Sequence, residues 1–165
     1  MDPAHVWKVP PYESSVQPPL TEALLDATER QLGVRLPESL VALLWGQNGG
    51  HLRVGFPMDR NYNTTHEVIR GIGPKSPRLE KAAWWHDPDW GPPRPADAEW
   101  LVPFDGDGHW DLCLDYRRSP TDSAGLRIDA AVVVIDTEAR DPDVESFVAA
   151  SFDEYLAQLV PSDDE

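Results

Sequence analysis

Cysteine is almost missing from this chain, and cationic side chains are scarce. A single cysteine, Cys113, excludes an internal disulfide and a multi-cysteine zinc site. No run of about 18 apolar residues occurs, so no membrane-spanning helix is expected. The opening segment has no basic stretch followed by an apolar one, which argues against a secretory leader. These absences point to the cytoplasm. Familiar catalytic signatures are missing as well. There is no Gly-x-x-x-x-Gly-Lys phosphate loop and no Gly-x-Ser-x-Gly nucleophile elbow. Gly71-Ile72-Gly73 lacks the third glycine of a dinucleotide fingerprint, and His66-Glu67 lacks the second histidine of a zinc-protease helix.

What is abundant is negative charge, tryptophan and proline. The 165 residues hold 29 acidic and 14 basic side chains, a net charge of −15. The imbalance is local. Residues 1–83 carry nine acidic and nine basic side chains, whereas residues 84–165 carry 20 and five. Such a surface repels nucleic acid and anionic membranes. It attracts a basic protein and speeds its arrival. Eleven of the basic residues are arginine and three are lysine, a usage that suggests a GC-rich bacterial genome.

The patterning predicts two helices, then strands, then a closing helix. Residues 1–19 read as an irregular lead-in, interrupted by Pro10-Pro11 and Pro18-Pro19. Thr21 can cap a first helix whose apolar face is Leu24, Leu25, Thr28 and Leu32, with Gly33 as its stop. Pro37 suits the start of a second helix bearing Leu36, Leu40, Leu43 and Leu44. Residues 51–56 and 66–72 read as strands. Ser76-Pro77 is expected to open a third helix running to about His86. A proline-rich acidic loop follows over 87–99, then strands over 100–104, 109–115 and 130–136. In the middle strand Trp110, Leu112 and Leu114 alternate with His109, Asp111, Cys113 and Asp115. Residues 117–128 are a polar connection. Ser151 and Glu154 form a capping box for a helix over 152–160, and 161–165 reads as a disordered acidic tail. Trp45, Trp100 and Trp110 are expected in the core. The order predicts an α+β fold, with helices packed on a single mixed or mainly antiparallel sheet over residues 20–160.

Three clusters invite a chemical reading. Asp105-Gly106-Asp107-Gly108 starts like a calcium loop, but His109, Trp110 and Tyr116 stand where further ligands and a glycine are needed. A hairpin turn that presents carboxylates fits better. His86, Asp87 and Asp89 with His109 and Asp111 could hold zinc or iron if the segments met. Trp84, Trp85 and Trp90 crowd the acidic loop, where Trp85 or Trp90 could anchor a protein interface. Cys113 lies in an apolar strand between two aspartates, which disfavours a reactive thiolate.

The segment from Glu29 through Leu32-Gly33 and Leu36-Pro37 to Asn48-Gly49-Gly50 resembles the opening of the SUKH superfamily. Val102-Pro103-Phe104 leading to Leu114-Asp115 is similar to that family's central hairpin, and Val132–Asp136 to its next strand. Ser151-Phe152-Asp153-Glu154-Tyr155-Leu156 is similar to its last helix. The stretch 55–100 has no such counterpart. The resemblance implies a SUKH-like α+β fold and a non-catalytic role. Many bacterial members are immunity proteins that bind and block a toxin, often a nuclease or deaminase; eukaryotic relatives include a yeast regulator of cell-wall assembly. No catalytic residues and no cofactor carry over. The expectation is therefore an immunity protein acting through Trp85, Asp87, Asp89, Trp90, Asp105, Asp107 and Asp111 on a basic toxin domain, as a monomer or weak homodimer. The alternatives are a regulatory protein-binding scaffold and a metal-dependent enzyme built on His86 and His109.

Overall fold

A computed structural model describes residues 5–57, 62, 66–79, 89, 94–139 and 144–162. The helical pair forms where the patterning places it. Helix α1 (Glu22–Leu32) begins with the Thr21 hydroxyl accepting the Leu24 N–H, and it ends at Gly33 in the left-handed conformation, φ 72°. Helix α2 (Glu38–Gly46) follows, with Pro37 as its cap residue rather than its first turn. Leu36, Leu40, Leu43 and Leu44 are buried as expected.

The central sheet is antiparallel, in the order β4 (Leu101–Gly106), β5 (Trp110–Asp115), β6 (Ala131–Asp136), β7 (Glu145–Ala149). The sequence reading anticipates the first three strands and misses β7, because Glu145-Ser146-Phe147 alternates weakly. Two short pairs flank the sheet. β1 (Gly50–His51) pairs with β3 (Val68–Ile69), and β2 (Val54–Gly55) pairs with β8 (Val160–Pro161). The strand expected over 51–56 is thus split between two partners. Helix α3 (Phe152–Gln158) is capped by Ser151, whose hydroxyl accepts the Glu154 N–H, while Glu154 Oε2 accepts the Ala150 N–H.

Several expectations are corrected. No helix opens at Ser76-Pro77: residues 72–77 are bends, and the Leu79 N–H reaches back to Gly71 O at 3.0 Å. Residues 80–86 lie outside the described residues. The lead-in is irregular yet part of the core. Val6 and Trp7 are buried, and backbone bonds join Lys8 to His51 and Arg53 to Val6. The tail does not start at 161, since Pro161 is in β8 and the Ser162 N–H bonds Arg53 O. Trp45 is 47% exposed, while Trp100 and Trp110 only flank the core.

The main core lies between one sheet face (Val102, Phe104, Leu112, Leu114, Val132, Val134) and the helices, through Leu40, Leu44, Phe152, Tyr155 and Leu156. The opposite face is buried too, against a smaller cluster of Ala98, Leu101, Cys113, Val133 and Ile135. That second cluster explains why β5 and β6 are buried at four consecutive positions each.

The family-like motifs have structural explanations. Asn48 is buried, donates to Pro18 O (2.7 Å) and Ile72 O (2.8 Å), and accepts the Ile72 N–H (2.9 Å). A Cβ at Gly49 would stand 2.4 Å from Gly71 N, and one at Gly71 would stand 2.2 Å from Asn48 O, so the two backbones touch. Glu29 is buried; its carboxylate accepts the Leu36 N–H (2.9 Å) and an Arg35 guanidinium N–H (2.7 Å), fastening the turn between α1 and α2.

Candidate functional site

The antiparallel topology gathers four segments at one end of the sheet: the end of β4, the start of β5, the end of β6 and the start of β7. Asp107-Gly108-His109 is the β4–β5 turn. Gly106 and Gly108 take φ of 130° and 95°, conformations open to glycine. The Asp107 carboxylate accepts the His109 N–H at 2.9 Å, closing the turn. Thr137 ties the neighbouring turn to it: its N–H reaches His109 O (2.9 Å) and its hydroxyl reaches Gly108 O (3.0 Å). The Asp136 carboxylate in turn accepts the Glu138 and Ala139 N–H groups, and the Asp136 N–H joins Val144 O next to β7.

Asp107, Glu138 and Glu145 are exposed here, with Asp136 half-buried. The exposed pair His109 Nδ1–Glu138 Oε1 is 2.6 Å apart. That hydrogen bond, with the charges of Glu138 and Asp107, raises the His109 pKa above its ordinary value. Further along β5 and β7, Arg117 bridges Asp115 (2.8 Å) and Glu145 (2.7 Å). Burial alone would raise Asp115, but the Arg117 bonds prevail and hold it below the usual range.

The residues singled out from sequence fall into three groups. Asp107 is on this rim, and Asp89 is exposed. Trp85, Asp87 and Trp90, and His86 with them, lie outside the described residues. Asp105 and Asp111 are a correction, because both carboxylates turn inward. Asp111 is 0% exposed, with Oδ1 3.5 Å from an equally enclosed Arg70. Arg70 also donates to Gly106 O at 2.7 Å. Arg70 and Asp111 thus form a buried ion pair under the turn.

Asp105 belongs to a buried chain that sequence reasoning missed. Its Oδ2 accepts the Glu67 and Val68 N–H groups at 3.1 and 3.2 Å, and lies 2.6 Å from His66 Nδ1. An ionised carboxylate only accepts, so Nδ1 carries the proton. His66 Nε2 then accepts the hydroxyl of Tyr155. Phe56, Phe104 and Phe152 ring this chain, the Phe104 and Tyr155 centroids 5.3 Å apart. Burial, then the Asp105 charge, pushes the Tyr155 hydroxyl well above its ordinary pKa. An enclosed acid of that kind is a structural tie, not a reactive group. Its members are 39 and 89 residues apart, a separation that no local motif reveals.

Cys113 is buried, and burial followed by the Asp111 charge raises its thiol well above the ordinary value. Among the described residues no group of three or more His, Cys, Asp or Glu side chains is arranged to hold a metal ion. No helix among them is long and apolar enough to cross a membrane.

The helical pair, the glycine-to-glycine contact behind it and the four-stranded sheet define an α+β scaffold. A model of the SMI1 / KNR4 family (SUKH-1) matches residues 19–158. The chain belongs to that family. No curated protein matches the chain.

Proposed function

We propose that this protein is an immunity-type binder that neutralises a basic partner, such as a nuclease toxin domain, by covering it with the acidic end of the central sheet. The observation that carries this reading is the excess of 20 acidic over five basic side chains in residues 84–165, with Asp107, Asp136, Glu138 and Glu145 brought to one rim. A nuclease must hold phosphates, so its active face is basic. An acidic rim on a rigid sheet can dock there in place of nucleic acid, and its field speeds the encounter. No catalytic step is needed, since occlusion suffices.

Co-expression with the product of the adjacent open reading frame tests the reading. The expected result is rescue of growth and a complex that survives purification. A partner whose toxicity and elution are untouched by this protein overturns it.

A further inference from the structure

We infer that the outer edge of β7 is where an extended, basic segment of the partner adds as a further strand. This rests on the acidic-rim reading and gives it a contact geometry. The two edges of the central sheet differ. The β4 edge is closed: Pro103 has no N–H to offer, the Arg70 N–H bonds Phe104 O at 2.8 Å, and the Asp105 carboxylate takes the Glu67 and Val68 N–H groups. At β7, no described strand lies beyond the one that pairs with β6.

The register says which groups face outward. Asp136 N–H to Val144 O makes 136 and 144 a hydrogen-bonded pair. Antiparallel pairs alternate, so Val134–Ser146 is bonded inward, while Ile135–Glu145 and Val133–Phe147 are not. The N–H and C=O groups of Glu145 and Phe147 therefore point away from β6. The later part of β7 is already occupied, because Gln158 donates to Val148 O and Glu154 accepts the Ala150 N–H. This leaves a short open ladder centred on Phe147, whose side chain is 66% exposed. Unguarded edges with an exposed aromatic suit strand addition.

Charge selects the occupant. Glu145 is on the edge itself, where Arg117 ties it to Asp115, so two carboxylates share one guanidinium and leave a net negative charge; Asp136 and Glu138 lie just before the edge. A second copy would bring another net −15 against this edge and be repelled, whereas a strand with lysine or arginine at alternate positions is attracted.

The test uses a peptide of about nine residues alternating lysine and valine, long enough for one strand. It is titrated into the 15N-labelled full chain, with an alternating glutamate–valine peptide as control. At lysine peptide about ten times above its dissociation constant, exchange of the Phe147 amide should slow roughly tenfold by mass action. Phe147→Pro, which removes an outward N–H, and Phe147→Lys, which keeps the backbone donor but repels the peptide, should both abolish binding, read in each variant from the peptide-induced shifts of the neighbouring amides. Binding that persists unchanged in both variants, yet disappears in Asp107→Asn with Glu138→Gln, overturns the strand-addition inference and leaves the acidic-rim reading standing. Equal binding of both peptides, or a concentration-dependent dimer abolished by Phe147→Lys, overturns the basic occupant.

Discussion

At the scale of single residues, His109 and Glu138 are the most accessible probe of the acidic rim. The folded pKa of His109 is raised, first by its hydrogen bond to Glu138 and then by the charges of Glu138 and Asp107. Its contribution to stability is therefore present below the unfolded pKa and fades as pH rises through the folded value. Binding has the opposite sign: deprotonating His109 removes a positive charge from the rim, so a basic partner should bind more tightly as pH rises through that value. Glu138→Gln should move the His109 titration back toward 6.5, as followed by imidazole NMR shifts. An unmoved titration would mean that the pair does not form in solution. The buried ties predict stability effects instead. Asn48→Ala orphans three backbone partners and should cost about 3 kcal/mol in denaturant unfolding. Tyr155→Phe removes the donor to His66 Nε2 and should cost about 1–3 kcal/mol.

At the scale of elements, the contact between Gly49 and Gly71 explains why the Asn48-Gly49-Gly50 turn must follow α2. Gly71→Ala forces a Cβ within 2.2 Å of a backbone oxygen, so the turn and the segment after β3 must separate. The expected loss is about 2–4 kcal/mol, larger than that of an ordinary strand glycine. Gly33→Ala is milder: its Cβ would lie 3.3 Å from the Trp100 ring, and left-handed backbone costs about 1–2 kcal/mol. Differential scanning calorimetry of the two variants should rank them in that order. The legible elements were those with strong local signals, such as the Thr21 cap, the leucines of α2, the alternation in β5 and the Ser151 capping box. β7 escaped because its inward residues are Ser146 and Val148, and β8 because its partner β2 is about a hundred residues away. The turn at 105–111 was legible as a turn. Its carboxylates were not sortable, because Asp105 and Asp111 find His66 and Arg70 only through tertiary contact.

At the scale of the whole molecule, the antiparallel order brings Asp107, Asp136, Glu138 and Glu145, which are spread along the sequence, to one rim. Turns and strand ends from four segments meet at one rim, while the neutral first half supplies α1, α2 and part of the core. Family membership accounts for the scaffold, and the charge asymmetry is read from this chain's own sequence. If the proposed occlusion holds, association is fast and salt-sensitive, and the partner should be captured more slowly as ionic strength rises.

The most direct measurement is the association rate with the adjacent-gene product, followed by stopped flow from about 0.05 to 0.5 M NaCl. For the natural chain the rate should fall tenfold or more over that range, by about the amount that steering contributes. Asp107→Asn with Glu138→Gln should start slower and show a flatter salt dependence. Identical rates and identical salt slopes for the two proteins would contradict the claim that the acidic end of the sheet meets the partner.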